Sequence, residues 1–260
     1  MEYALTLLLR FSRPSSWFFW RVAIAALACT PVLAQTNSSP LQPAAPATAV
    51  PGSKTGPITT AIAAKPGDLS QEAVVFDKLY TRVREDNDGT GTRQTTARIR
   101  ILADAGVKDM AVLAFTYTAS SQQVDIGYVR VIKPDGSIVI TPDYNIQDLP
   151  ADVTREAPMY SDIHQKHVAV KGLGVGDTLE YQWTLRTLKP DVPGEFWLEY
   201  TFEKNLIVLD EQLDLDLPAG KPITVACSEA QPAITTSGDR KLYHWTSSNL
   251  ARPDPDAPPK

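Results

Sequence analysis

Short runs of alternating apolar and polar residues dominate the chain from residue 71 to residue 250. Leu213, Leu215 and Leu217 form one such run, and others lie at 179–185 and 196–202. A period of two is typical of a strand with one buried and one solvated face, and no long run with helical spacing interrupts the series. The pattern therefore predicts a mostly β domain over residues 71–250.

Turn residues predict two hairpins in this domain. The tetrapeptide Asp-Asn-Asp-Gly at 86–89 tolerates positive φ and separates a strand at 74–83 from one at 95–102. The tripeptide Pro-Asp-Gly at 134–136 follows an alternating run at 124–132 and predicts the second hairpin.

Two further segments are predicted to be connections. The glycine-rich run at 172–176 lacks the Lys-Ser/Thr end of a phosphate-binding loop and a following helix, so it predicts a tight link between strands. Residues 141–161 are polar and interrupted by proline, which predicts an exposed excursion.

The first 34 residues have the features of an export signal. Three arginines precede the apolar run 22–28, and small residues suit cleavage after Ala34. Lipid attachment at Cys29 is less favoured, because in Ala26-Leu27-Ala28-Cys29 the small residue Ala26 precedes Leu27, which reverses the usual order of a leucine followed by a small residue. The aromatic cluster at 17–20 leaves an uncleaved anchor open, although the segment from 22 to 34 is short for a membrane span. The prediction is a periplasmic or secreted protein.

The regions that flank the β domain differ from it in composition. Residues 35–70 are rich in Pro, Ala, Ser and Thr, which predicts a flexible, disordered linker. Residues 251–260 are rich in Pro and Asp and predict a tail or second linker.

Charge and cysteine content narrow the classes of function. The net charge is -5 and becomes -7 without the signal, so neither nucleic acid nor an anionic membrane is an expected partner. Cleavage leaves Cys227 as the single cysteine, which excludes an intramolecular disulfide. Cys227 lies in a run typical of a strand, and a small buried hydrophobe is favoured over a nucleophile.

The order and spacing of several motifs resemble those of the bacterial domain of unknown function 3857. This exported module is usually found ahead of a transglutaminase-like domain. The resemblance runs from about residue 74 to residue 249. The residues that carry it are Asp88-Gly89, the run 131–136 ending in Lys-Pro-Asp-Gly, Tyr160-Ser161-Asp162, Gly176-Asp177 with 178–181, Leu217-Pro218 and Tyr243-His244-Trp245. It implies a β-sandwich-like fold with antiparallel sheets.

The resemblance also implies which domain holds the catalytic residues. In such proteins the Cys-His-Asp catalytic set belongs to the transglutaminase-like domain, and we expect no counterpart of that domain within residues 1–260. His164 and His167 are three residues apart on a predicted strand, where they point to opposite faces, so neither a zinc site nor a base for Cys227 is expected. The sequence thus predicts a module without catalytic residues, metal or cofactor.

Three functions follow from these observations. The first is a non-catalytic module that packs against, or presents substrate to, a transglutaminase-like partner. The second is a free-standing module of the cell envelope that binds carbohydrate or peptide. The third is a hydrolase that uses Cys227. The candidate binding surface is a groove between Trp197, on the polar side of its run, and the excursion at 141–161. Its predicted residues are Trp197, Tyr144, Tyr160 and Asp162.

Overall fold

The computed structural model describes residues 8–10, 69, 71–159, 161–226 and 231–250. Most of the predicted signal and linker, the predicted tail, Tyr160 and Cys227 lie outside these residues. The predictions that concern them stay predictions.

Strands make up most of the described chain. They are β1 (Leu8–Arg10), β2 (Val74–Glu85), β3 (Gly91–Ile101), β4 (Val112–Thr118), β5 (Gln122–Ile132), β6 (Ile138–Ile140), β7 (Ile146–Pro150), β8 (Ile163–Ala169), β9 (Thr178–Thr187), β10 (Val208–Pro218), β11 (Thr224–Ala226), β12 (Ala233–Ser237) and β13 (Arg240–Asn249). The helices described are short: α1 (Asp104–Met110), α2 (Asp152–Glu156) and a 3-10 turn at Asp143–Asn145. The fold is all-β, as the sequence predicts.

A mixed eight-stranded sheet forms the centre of the fold. Its order is β12-β13-β10-β2-β3-β9-β5-β6, and every neighbouring pair is antiparallel except β10 and β2. A three-stranded antiparallel sheet has the order β4-β8-β7, and β1 pairs with β11.

One face of the large sheet is buried under two core clusters. The first cluster joins Leu213, Leu215, Tyr243 and Trp245 to side chains of the segment 196–202, which covers this part of the sheet. The second joins the rest of the face to the three-stranded sheet, where Phe115 packs on Trp183 with ring centroids 4.9 Å apart. The two sheets therefore form a sandwich, because the period of two collects the apolar side chains on one side.

The opposite face of the large sheet is polar. Glu180 accepts hydrogen bonds from Arg98 Nη1 at 2.7 Å and Arg130 Nε at 2.8 Å, and Asp77 accepts one from Arg100 Nε at 2.8 Å. Cross-strand ion pairs of this kind keep an exposed sheet face soluble.

Both predicted hairpins are confirmed. Gly89 and Gly136 have φ of 87° and 84°, the left-handed conformation that favours glycine. Asp88 and Asp135 accept hydrogen bonds from the backbone two residues ahead, at Thr90 and Ser137. The glycine-rich run at 172–176 is a connection between β8 and β9, as predicted.

Three segments differ from the sequence-based expectation. Residues 196–202 alternate between buried and exposed but form no strand, because they cross the core as a cover rather than joining a ladder. Part of the predicted excursion forms β7, which pairs with β8. Residues 104–118, for which the sequence predicts no element, form α1 and β4. In the described ranges, no helix is long and apolar enough to cross a membrane.

Candidate ligand-binding cleft

A cleft of about 370 Å³ opens at one end of the sandwich. Two cross-strand rows of the large sheet form its floor. The inner row consists of Val83, Arg93 and Leu185, which are register partners on β2, β3 and β9. The outer row runs from Glu85 through Gly91 and Thr187 to Gln122. The register of four strands thus brings apolar and charged side chains to one place.

Residues 189–199 form the opposite wall of the cleft. Phe196 and Leu198 point into the first core cluster and are buried, whereas 51% of the surface of Trp197 is exposed. The strict alternation anchors the backbone of the wall through its apolar side chains. It leaves the indole of Trp197 free to contact a ligand.

Gly89 lets the β2–β3 hairpin approach this wall. A Cβ on Gly89 would lie 2.7 Å from the carbonyl oxygen of Glu195 and 3.0 Å from Cβ of Pro190. The Gly194 N–H donates a 2.7 Å hydrogen bond to the carbonyl of Asp88. A Cβ on Gly91 would overlap the Glu85 carboxyl group. The Asp88-Gly89 motif therefore closes the hairpin and also holds the wall in place.

Glu85 is a buried acid at the rim of the cleft floor. Only 6% of its surface is exposed. Burial raises the pKa of Glu85 to about 8, because the loss of solvation outweighs the attraction of Lys221 and Arg240. The side chain is therefore largely protonated at neutral pH and can donate a hydrogen bond there. A buried acid with a raised pKa in a cleft is a common property of functional sites.

Arg93 is a cation on the cleft floor whose Nε is buried and has no hydrogen-bond partner. Burial lowers the pKa of Arg93, and the guanidinium stays charged because the ordinary value is so high. Its carbon Cζ lies 5.6 Å from the centroid of the Tyr200 ring. Within the described part of the chain, no carboxylate forms an ion pair with it.

Tyr200 links the wall of the cleft to the large sheet. Its hydroxyl donates a 2.9 Å hydrogen bond to Oε1 of Glu211 on β10, and burial raises the pKa of Tyr200. Oε2 of Glu211 accepts a further 2.9 Å bond from the Glu203 N–H. Glu211 is 1% exposed, and its pKa is also raised by burial. This network fixes the cover segment 196–202 over the first core cluster.

The structure separates the residues predicted for the binding groove. Trp197 lines the cleft. Asp162 supports its border, because it accepts a 2.9 Å hydrogen bond from the Ser120 N–H in the turn that carries the lining residues Ser121 and Gln122. Tyr144 follows β6, which pairs with the far end of β5, about 30 Å from the cleft at ~3.4 Å per residue. Tyr160 lies outside the described residues.

Sequence reasoning missed Glu85 and Arg93, although a signal for them exists. Counting in steps of two from buried Val83 places Glu85 on the core face of β2. The same count from Ile101, Ile99 and Ala97 places Arg93 on the core face of β3. A charged residue whose position places it on the core face of a strand loses solvation there. Because that loss costs free energy, the residue needs an explanation.

Other candidate motifs have structural roles. Lys133 Nζ bonds Oδ2 of buried Asp177 at 2.7 Å, and Gly174 N–H donates to the same oxygen at 2.7 Å. These contacts tie the second hairpin to the glycine-rich connection. Nδ1 of His164 lies 3.2 Å from Oδ1 of Asp148, and Nε2 of His167 lies 3.1 Å from Oε1 of Gln165. Over the ranges that the structure covers, no three His, Cys, Asp or Glu side chains group to hold a metal ion.

Comparison with known proteins identifies a family and a fold. A family model described as a domain of unknown function with solved structure, DUF3857, matches residues 87–254. No curated protein matches the sequence.

One solved structure shares the architecture. A crystal structure of a protein described as a candidate protease from Parabacteroides distasonis aligns with 71% of this chain, at a TM-score of 0.62 and 18% identity. The match covers 37% of that protein, so this chain corresponds to much less than its whole length. A zinc metallopeptidase of the M1 class from Deinococcus radiodurans aligns with 68% of this chain and 39% of its own, at a TM-score of 0.36 and 9% identity.

Proposed function

Because the chain belongs to the DUF3857 family, we propose that it is a non-catalytic accessory module that holds an extended peptide for a catalytic partner. The partner is a transglutaminase-like domain or protein, as the family resemblance implies. The cleft at Trp197 is the site where the peptide binds. A similar fold forms part of a longer protein described as a candidate protease. This similarity supports a role for the module next to a domain that acts on peptides.

The observation that carries the proposal is the backbone of residues 197–202. The side chains of these residues alternate between exposed and buried as they do along a strand, yet no strand of the described residues includes them or pairs with them. A backbone of this kind can pair with a peptide added as a strand. Trp197 and Glu199 line the cleft beside it, so that an added peptide would contact both the backbone and the indole.

Calorimetric titration with a positional library of hexapeptides tests the proposal. We expect wild-type protein to bind a subset of the library and Trp197→Ala to lose most of that affinity. Tyr144→Ala is the matched control, because Tyr144 is 80% exposed and lies at the other end of the sheet. Absence of any binding at millimolar peptide, or equal affinities for wild type and Trp197→Ala, would contradict the proposal.

Backbone methylation distinguishes strand addition from other modes of peptide binding. A strand that pairs on one edge uses the N–H groups of alternate residues only. N-methylation at one alternating set of positions should therefore abolish binding, and methylation at the other set should leave it unchanged. Equal effects at both sets would argue against strand addition.

A carbohydrate ligand is the second candidate function. The exposed indole of Trp197, with Thr187, Gln122 and Ser121 in the same cleft, is a combination that can stack on a sugar ring and bond its hydroxyls. Titration with chitin oligosaccharides separates the two functions. A tryptophan emission shift that is lost in Trp197→Phe would favour the carbohydrate.

We further propose that the module acts outside the cytoplasm after removal of residues 1–34. The arginines, the apolar run and the small residues before Gln35 support this location. The intact mass of the protein recovered from the cell envelope fraction tests it. A mass that retains residues 1–34, or a lipid on Cys29, would contradict cleavage after Ala34.

A further inference from the structure

The inner row of the cleft floor contains an uncompensated positive charge. Arg93 lies between Val83 and Leu185, so apolar side chains flank it on both neighbouring strands. Its buried Nε has no hydrogen-bond partner. A partly buried cation normally has a carboxylate beside it, because water no longer fully compensates its charge. The described residues offer only the face of the Tyr200 ring.

We propose that Arg93 is the binding site for a carboxylate group of the ligand that enters this cleft. This inference rests on the proposed function, because it specifies which part of a peptide the cleft recognises. The planar guanidinium can bond both oxygens of a carboxylate in parallel through its two terminal nitrogens, whereas the buried Nε is out of reach of a ligand.

The surroundings favour a carboxylate over a phosphate. Glu85 lies diagonally across from Arg93, since its register partner Gly91 is two residues away along β3. Asp191, Glu195 and Glu199 also line the cleft. Their negative charge opposes a dianion more strongly than a single carboxylate. With its raised pKa, Glu85 is protonated at neutral pH and adds an O–H donor instead of a competing anion.

The carboxylate of a peptide has two sources, its C-terminus and an acidic side chain. The experiment uses the best hexapeptide from the library in three forms: with a free C-terminus, with a C-terminal amide, and as an amide that carries a terminal glutamate. For wild type, we expect the amide to bind at least about tenfold more weakly than the acid, which corresponds to loss of a charged hydrogen-bonded pair. Recovery by the glutamate form would mean that the site also accepts a side-chain carboxylate, and failure to recover would restrict the site to the C-terminal carboxylate.

Variants of Arg93 complete the test. Arg93→Gln should bind the acid and amide forms equally, and Arg93→Lys should keep part of the preference because it keeps the charge without the fork. Lys189→Gln is the control, since it removes another cation of the same cleft. Equal binding of acid and amide by wild type, or the same loss in the Lys189 variant, would overturn the assignment.

A second readout does not depend on peptide binding. Sodium acetate should raise the melting temperature of wild type relative to sodium chloride at equal ionic strength, and this difference should vanish in Arg93→Gln. If acetate stabilises wild type but no peptide binds, the carboxylate site is supported and the proposed peptide function is wrong. Peptide binding without any preference for the acid form, and with no acetate effect, would overturn the carboxylate site alone.

Discussion

At the scale of single residues, the buried carboxyl of Glu85 shows how position changes chemistry. An exposed glutamate is ionised at neutral pH, and its protonation does not matter to folding. Glu85 is enclosed by the β2–β3 hairpin and the cleft wall, so ionisation there removes solvation that nothing fully replaces. The folded protein therefore retains a proton that the unfolded chain releases.

The pKa of Glu85 predicts the sign of a pH dependence. Its folded pKa of about 8 exceeds the ordinary value of 4.5. Between these two values the folded state binds more protons than the unfolded state, so its contribution to stability falls as pH rises, by at most ~1.4 kcal/mol per pH unit. We expect urea unfolding of Glu85→Gln to show a smaller loss of stability than wild type between about pH 5 and about pH 8.

The control for this measurement is Glu156→Gln, because Glu156 is exposed on the short helix α2. It should follow the wild-type dependence on pH. A Glu85→Gln curve parallel to the wild-type curve would show that Glu85 is ionised in the folded protein.

Gly89 and Gly136 have the same backbone conformation but different surroundings, so their alanine variants can be compared directly. Gly89 and Gly136 both have positive φ, but a Cβ on Gly89 would meet the Glu195 carbonyl at 2.7 Å, whereas a Cβ on Gly136 would meet nothing within 4 Å. Gly136→Ala should cost ~1–2 kcal/mol of unfolding free energy for the backbone conformation alone. Gly89→Ala should cost more, because it also displaces the cleft wall. Equal losses in urea unfolding would mean that the wall moves freely.

At the scale of elements, the side chains of segment 196–202 alternate between buried and exposed as in a strand, but its backbone belongs to no strand. Four buried side chains anchor it: Phe196, Leu198, Tyr200 and Phe202. The 2.9 Å hydrogen bond from Tyr200 to Glu211 adds a polar link between this segment and β10. The cleft therefore depends on packing rather than on a hydrogen-bonded ladder.

Removal of the Tyr200 hydroxyl tests this dependence. Tyr200→Phe should lower the free energy of unfolding by ~1–3 kcal/mol, because buried Glu211 loses a donor. Amide exchange in residues 196–202 should also accelerate relative to β2 and β3. Tyr144→Phe serves as the control and should change neither quantity, since Tyr144 is exposed. Unchanged exchange in Tyr200→Phe would assign the stability of the wall to the apolar anchors alone.

At the scale of the whole molecule, two core clusters share one sheet. β2 contributes Val83 to the first cluster and Val74 with Phe76 to the second, and β10 also reaches both. A strand cannot leave one cluster without disturbing the other, so we expect the clusters to unfold together.

Trp245 in the first cluster and Trp183 beside the second report on this cooperativity. In protein labelled with 5-fluorotryptophan, their ¹⁹F signals should disappear at the same urea concentration. Assignment of the signals comes from Trp183→Phe and Trp245→Phe. Loss of the Trp245 signal at clearly lower urea would mean that the part of the sheet under 196–202 opens independently.

The sequence by itself determined most strands of the large sheet and the two confirmed hairpins, because these features depend on local patterns. Apolar alternation predicts a half-buried strand wherever it occurs, and the turns at 86–89 and 134–136 need residues that accept positive φ at Gly89 and Gly136. The order of motifs was enough to identify the family. The alternation of residues 196–202 also placed the aromatic side chain of Trp197 on the polar side of that run.

Only the tertiary structure decided which residues meet Trp197. Arg93 and Glu85 reach the cleft because the registers of β2, β3 and β9 align their ends, and register is a property of strand pairs rather than of one strand. For the same reason Tyr144, close to Asp162 in sequence, lies at the opposite end of the sheet. Whether 196–202 joins a ladder was also undecided, since alternation describes burial of side chains and carries no information about backbone partners.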